Sequence, residues 1–380
     1  KQKTAYEIGV RLVGSEMCIR DRLRNTQFCT VEMPKNNKFI LQWLWAGLVL
    51  VLIQIILGGI TRLTGSGLSI TRWDIITGIW YPLSEEQWTY YFDLYKQTPQ
   101  YTKVNAWMDL ERFKFIFFWE YFHRLWARLM GLVFILPLCY FLFKNLLSTQ
   151  LKIKVLVIFI LAILVASLGW IMVASGLVSY PWVNAYKLSF HLGVAVVLLS
   201  YIYSTILFVE GNQIKWKVFK TLFNLPVIFS ALIFFQIYIG GIMAGMKAAL
   251  VAPEWPLLLG QWFPKEIFQF SNYSNFLFSE YEISHTAPVI IQFFHRLIAY
   301  IIFVLMLLIL YRYHLKFRSK LYPILFLVVV QILLGIFTLI NSHGSVPLWL
   351  GSLHQLTGIV LLLVSINFLS IVSNAGSSVK

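Results

Sequence analysis

Four histidines lie inside long apolar runs of this chain, at His123, His191, His295 and His354. Two of them sit in matching strings, Glu120-Tyr121-Phe122-His123-Arg124 and, shortened, Phe294-His295-Arg296. Ionisable side chains in a membrane helix are costly, so each is a functional hypothesis by default. Neutral imidazole is a good iron ligand, and a histidine from each of two neighbouring helices can hold a haem from both faces. A lone histidine of this kind is as readily explained by a hydrogen bond to a neighbouring helix. Four at matched positions favour ligation, with His123 paired to His191 and His295 to His354. The other three, His285, His314 and His343, fall in connections and are expected to be solvated.

Arg124 and Arg296 each follow a proposed ligand, and Arg128 lies one turn beyond Arg124. Guanidinium groups make strong charge-assisted pairs with carboxylates, so these arginines are candidate partners for haem propionates, with Arg62 a weaker one. Snorkelling to the interface explains them equally well. Glu120 separates the two strings, because Gln292 stands three residues before His295. Residues three apart on a helix share a face, so Glu120 is expected beside the His123 site. A carboxyl there could exchange protons, which would give one site chemistry and the other a fixed cofactor. The plainer account of Glu120 is an ion pair with Arg124 or Arg128.

The elements that must carry these residues are membrane helices. The 380-residue chain is 59% hydrophobic and only 12% charged, too few polar residues for a soluble surface. Eight stretches are long enough to span a bilayer: about 39 to 60, 114 to 143, 151 to 176, 187 to 209, 218 to 244, 287 to 311, 321 to 341 and 348 to 372. Connections on the N-terminal side hold 13 Lys/Arg against one acid, Glu210, whereas the opposite connections hold ten acids. The positive-inside rule therefore makes both termini cytoplasmic and places all four histidines in the outer half of the membrane. The net charge of +15 is thereby explained by topology, and no nucleic-acid partner is implied. Residues 1 to 32 resemble a non-native leader, with Met33 the expected start, and a bacterial inner membrane is the expected address. Cys18 and Cys29 fall in that leader and Cys139 in an apolar helix, so neither a disulfide nor a cysteine metal cluster is proposed.

The pattern also repeats. Gln54-Ile-Ile-Leu-Gly58-Gly59 returns as Gln236-Ile-Tyr-Ile-Gly240-Gly241, and the histidines recur in spans two and six and in spans four and eight. The expected fold is an all-α integral membrane protein with two parallel, pseudo-symmetric four-helix bundles. They cover 33 to 210, with a long outer loop 61 to 113, and 211 to 380, with an outer loop 245 to 286. Ser84 and Gln87 form a capping-box pattern that opens a short amphipathic helix in the first loop. The glycine pairs, with Gly169 and Gly335, permit close approach between helices or to a flat macrocycle.

Together, Glu120-x-x-His123-Arg124, the turn from Gly58 to Ser69, Pro82-Leu83-Ser84-Glu85-Glu86-Gln87-Trp88, Tyr95-Lys96-Gln97-Thr98-Pro99, Phe294-His295-Arg296 and Leu353-His354-Gln355-x-x-Gly358 resemble the haem A synthase family, in its alphaproteobacterial and mitochondrial-like branch. The resemblance covers about 39 to 372. It implies oxidation of the C8 methyl group of haem O to a formyl group, giving haem A for cytochrome oxidase. It further implies that His123 and His191 hold the haem O substrate with Glu120 at the reaction centre, while His295 and His354 hold haem b (iron) as an electron-transfer cofactor. An electron-transfer partner, haem O synthase, membrane lipid and a homo-oligomer are the partners it suggests. The cysteine pair that another branch carries in the first outer loop is missing here.

The main rival is a di-haem membrane electron-transfer cytochrome without haem-modifying activity, which has no need of Glu120 in one copy alone. A prenyltransferase needs clustered aspartates, and Asp74, Asp93 and Asp109 are dispersed. A transporter is permitted by the repeats, but the histidine-bearing spans lack a central Gly-Pro break.

Overall fold

The computed structural model describes residues 35–74, 77–178, 180–216, 224–268, 281, 284 and 286–377. These are α1 (Lys35–Leu63), α2 (Glu85–Lys96), α3 (Leu110–Phe143), α4 (Thr149–Gly176), α5 (Ala185–Val209), α6 (Leu225–Gly245), α7 (Thr286–Ile340) and α8 (Leu348–Ser377), with short 3₁₀ and π turns in the connections. Among the described residues there is no β-strand, only an isolated bridge between Leu258 and Gln261. All but α2 are long and apolar enough to cross a membrane, seven helices in all among the described residues. A helix is what such sequences require there, since it satisfies its backbone N–H and C=O groups internally. Ile40–Lys380 form one unit; of the unit before it, Lys1–Phe39, only the first residues of α1 are described.

The helix starts are set by side chains that cap free N–H groups. Asp109 accepts from Arg112 N at α3, Ser148 from Leu151 N at α4, and Asn184 from Tyr186 N and Lys187 N at α5. α6 begins at Leu225 rather than near 218, because Pro226 lacks an N–H and belongs in a first turn. Residues 217–223 lie outside the described residues.

Two expected spans run together as α7, whose 55 residues would extend about 83 Å if straight. No glycine or proline interrupts Tyr311 to Lys320, so helical geometry is broken only at Phe317 (φ −128°, ψ 22°). The helix nevertheless folds back on itself. His295 and Gly335 would stand about 60 Å apart on a straight rod, yet both meet His354. The His295 and His354 ring centroids are 6.3 Å apart, and a Cβ placed on Gly335 would lie 2.9 Å from His354 Cε1. α7 is thus two antiparallel arms joined at Phe317, whose ring packs against Phe368 of α8.

One apolar core draws Leu44 from α1, Phe141 from α3, Ile158 from α4, Leu199 and Ile206 from α5, Phe229 from α6, Met306 and Ile324 from the two arms of α7, and Phe368 from α8. α3 and α4 also present outward apolar faces, with Leu136, Ile153, Ile160 and Ile163 all more than half exposed, as expected of surfaces that meet lipid. α5 and α6 approach closely where the first residue of one meets the last of the other: a Cβ on Gly245 would fall 2.5 Å from Ala185 Cα.

The first outer loop is built on aromatic packing. Ser84 caps α2 in a capping box with Gln87, as the sequence pattern predicts. The buried face of α2, Trp88, Phe92 and Tyr95, packs on Phe113 and Phe117 of α3. The Tyr95 hydroxyl donates to Gln100 Oε1 and accepts from Asn105 Nδ2.

Gly245→Ala should lower the melting temperature in detergent, corresponding to about 1–3 kcal/mol of overpacking, whereas Gly47→Ala, with open space around it, should not. Equal melting of the two variants would remove the close approach as a source of stability. Burial raises the Tyr95 pKa from 10.0 to about 12, and the nearby Glu120 charge adds to the effect. A raised folded pKa means stability that is complete below the unfolded value and lost as pH climbs through the folded one. Melting temperature should therefore fall between about pH 10 and about pH 12, and less steeply in Tyr95→Phe.

Candidate functional site

α3 brings Glu120, His123, Arg124 and Arg128 to one stretch of helix, and α5 brings His191 close enough to His123 to interact electrostatically. The first arm of α7 brings Gln292, His295 and Arg296, and α8 brings His354 against His295. The His295 and His354 rings are thus neighbours, with centroids 6.3 Å apart.

Each imidazole lies against a glycine of another helix or arm. A Cβ on Gly58 would sit 3.2 Å from His123 Cε1, on Gly169 3.0 Å from His191 Cε1, on Gly240 3.3 Å from His295 Cε1, and on Gly335 2.9 Å from His354 Cε1. One turn before three of these glycines stands a glutamine whose side chain ties the two segments together. Gln54 Nε2 donates to the His123 carbonyl (3.2 Å), Gln236 Nε2 to that of His295 (2.8 Å) and Gln331 Nε2 to that of His354 (2.9 Å). Val165 holds the fourth such position. Nδ1 of all four histidines is buried without a hydrogen-bond partner.

Glu120 is 3% exposed and held on both oxygens. Oε2 accepts from Ser69 Oγ (2.8 Å) and Ile70 N (2.9 Å), and Oε1 accepts from Arg124 Nη2 (2.6 Å). Gln292 is fully buried, and its amide donates to the Ala252 carbonyl (2.9 Å). Ile70 lies 12 residues after Gly58 and Ala252 lies 12 after Gly240, so the two side chains meet the same stretch of loop with opposite polarity.

The four arginines all bind backbone carbonyls. Arg124 donates to Arg72 O (2.9 Å) and Ile70 O (3.0 Å), and Arg296 to Glu254 O (2.6 Å) and Leu257 O (2.8 Å). Arg128 donates to Asp74 O (2.9 Å), and Arg62 reaches across to Ala244 O (2.5 Å) and Gly245 O (3.2 Å) at the end of α6. These contacts lock the chain that follows α1 and α6 over the histidine pairs. Arg296 Nε stays buried without a partner.

Ser69, Ile70 and the glutamines were not assigned these roles by sequence reasoning. A Gln-x-x-x-Gly string occurring at 54, 236 and 331 is the signal that could have found the glutamines. His314 and His343 are exposed, and His285 lies outside the described residues. No group of three or more His, Cys, Asp or Glu able to hold a metal occurs among the described residues.

The side chains of the Glu120–Arg124 pair are 4% and 14% exposed. Removing the cation alone strands a buried carboxylate, so Arg124→Gln should destabilise by about 3–5 kcal/mol. Glu120→Gln in the same chain should recover part of that loss; additive losses in a thermal double-mutant cycle would count against direct coupling.

Residues 41–366 match the family model described as "Cytochrome oxidase assembly protein", COX15-CtaA. Curated relatives named "Heme A synthase" include those of Flavobacterium psychrophilum (38% identical; 86% of this chain and 96% of the relative), Rickettsia africae (36%; 87% and 97%) and Nitrosospira multiformis (37%; 88% and 95%). With the match running nearly the whole length of the helical unit and relatives 36–38% identical over most of both chains, the chain belongs to the COX15-CtaA family.

Proposed function

We propose that this multi-pass membrane protein is a haem A synthase that oxidises the C8 methyl group of haem O to a formyl group, giving haem A for cytochrome oxidase. The observation that carries the reading is the unlike pair of like sites: two histidine pairs on the same scaffold, with Glu120 beside one and Gln292 beside the other. The haem-binding part is supported by four half-buried histidines that each keep a buried ring nitrogen without a partner. The His295–His354 centroid distance of 6.3 Å also fits, since two imidazoles bound to one metal from opposite sides at about 2 Å place their centroids about 6 Å apart.

His123 and His191 hold the substrate haem O, and His295 and His354 hold haem b, which supplies electron transfer when bound. Arg62, Arg124, Arg128 and Arg296 are the candidate partners of the propionates, because a guanidinium's charge and planar fork of donors suit a carboxylate. Glu120 would take up protons released as the methyl carbon loses two electrons to the electron-transfer partner and gains a hydroxyl from water, twice over, first to a hydroxymethyl group and then to the aldehyde hydrate, which loses water to give the aldehyde. Ser69, hydrogen-bonded to Glu120, is the next group along that path.

Eight spans with both termini cytoplasmic follow if each arm of α7 crosses the bilayer, a reading supported by the fold-back at Phe317 and by the charge bias of the connections. The two four-helix halves, 33–210 and 211–380, are then parallel repeats in a bacterial inner membrane. An electron-transfer partner, haem O synthase, lipid and a second copy of the chain are the partners this reading calls for.

The chain, produced in cells that make haem O and purified beside Glu120→Gln, should yield haem b plus haem A or a hydroxylated intermediate on extraction and chromatography. The variant should retain haem O and haem b. Unmodified haem in equal amounts from both would replace the oxidase by a di-haem electron carrier.

A further inference from the structure

Three of the four histidines are tied at their own carbonyl to a glutamine on a neighbouring helix or arm. At His354 the tie is itself braced, because Thr357 Oγ1 donates to Gln331 Oε1. Val165 stands where that glutamine would be for His191, four residues before Gly169 as Gln331 is before Gly335. The structural equivalence does not rest on counting alone, since the His191 ring lies against Gly169 as the His354 ring lies against Gly335. Three residues after His191, in the register of Thr357, stands Val194. Both members of the polar brace are thus replaced by valine at one histidine.

We propose that Val165 and Val194 make His191 the releasable ligand of the first site, so that this site exchanges its haem while the second retains it. The inference rests on the haem reading above and adds a residue-level reason for the unlike behaviour of the two sites. A net hydrogen bond is worth only a modest factor in an equilibrium, which suits a site that must bind and let go. α4, which carries Val165, is also only lightly covered by the rest of the chain. Ile160, Ile163, Trp170 and Ile171 on it are each 45% or more exposed, so its outer face meets lipid rather than another helix. Val165 and Val194 act through His191 and are positioning residues, without contact to reacting atoms.

The test follows haem leaving the purified full-length chain for excess apomyoglobin, haem O or its oxidised product from the first site and haem b from the second, read at the Soret band. Two phases of equal amplitude are expected. Val165→Gln with Val194→Thr should slow the fast phase about fivefold and leave the slow one unchanged. The reverse exchange, Gln331→Val with Thr357→Val, should speed the slow phase by a similar factor. Val165→Leu, which adds bulk without an amide, should change neither. The proposal fails if Val165→Leu slows release as much as the glutamine variant, or if neither exchange moves its own phase. A chain that carries no haem b by pyridine haemochrome would overturn the functional reading as well. Normal loading with unmoved phases would overturn this inference alone.

Discussion

Every histidine of the two pairs occupies space that a side chain on the facing segment would otherwise fill. At Gly58, Gly169, Gly240 and Gly335 an added Cβ would come within 2.9–3.3 Å of an imidazole carbon, closer than ordinary packing allows. The rings can therefore turn inward only because the facing backbone is bare. Helix spacing, the placement of the glutamines one turn earlier and the position of the loops above all follow from that constraint. In a membrane this matters more than in water, because helices gain little by hiding apolar surface from lipid and depend on close packing and polar ties.

The loops are fixed by the same helices that carry the histidines. Arg124 and Arg296 each reach from the residue after a histidine to carbonyls of the chain leaving the preceding span. A buried carbonyl needs a donor, and a guanidinium supplies several in a rigid fork. The arrangement couples the position of each ring to the position of its cover. At Glu120 the coupling gains a charge, since the carboxylate is held by that same arginine, by a loop N–H and by a loop hydroxyl. Gln292 keeps the shape and surrenders the charge, which distinguishes the two sites with a change of one side chain.

Much of this was legible in the sequence because hydrophobic length and capping chemistry are local. The apolar runs gave helices whose ends shifted by a few residues, and Ser84 with Gln87 gave the start of α2. The histidine pairing was legible through the repeat of Gln54 with Gly58 and Gln236 with Gly240. What could not be read was the partner of a long side chain. Arg124 was weighed for propionates or the interface, and whether its donors would meet backbone carbonyls depends on loop conformation, which no periodicity reports. Gln331 escaped notice because its histidine, His354, lies only 23 residues away on the next helix, whereas the repeat was sought between halves. The turn of α7 at Phe317 falls in a basic stretch that reads as a break in hydropathy between two apolar runs.

Arg62 carries a different implication. It completes the end of α6 by donating to Ala244 and Gly245, and Ala244 is the residue that stands 182 positions on, at the register Arg62 itself holds relative to Gly58 and Gly240. Two identical halves meeting there would bring guanidinium to guanidinium with no carbonyl reach to spare. The contact thus depends on the two Gln-x-x-x-Gly strings differing at this register, with arginine four residues after one and alanine four residues after the other.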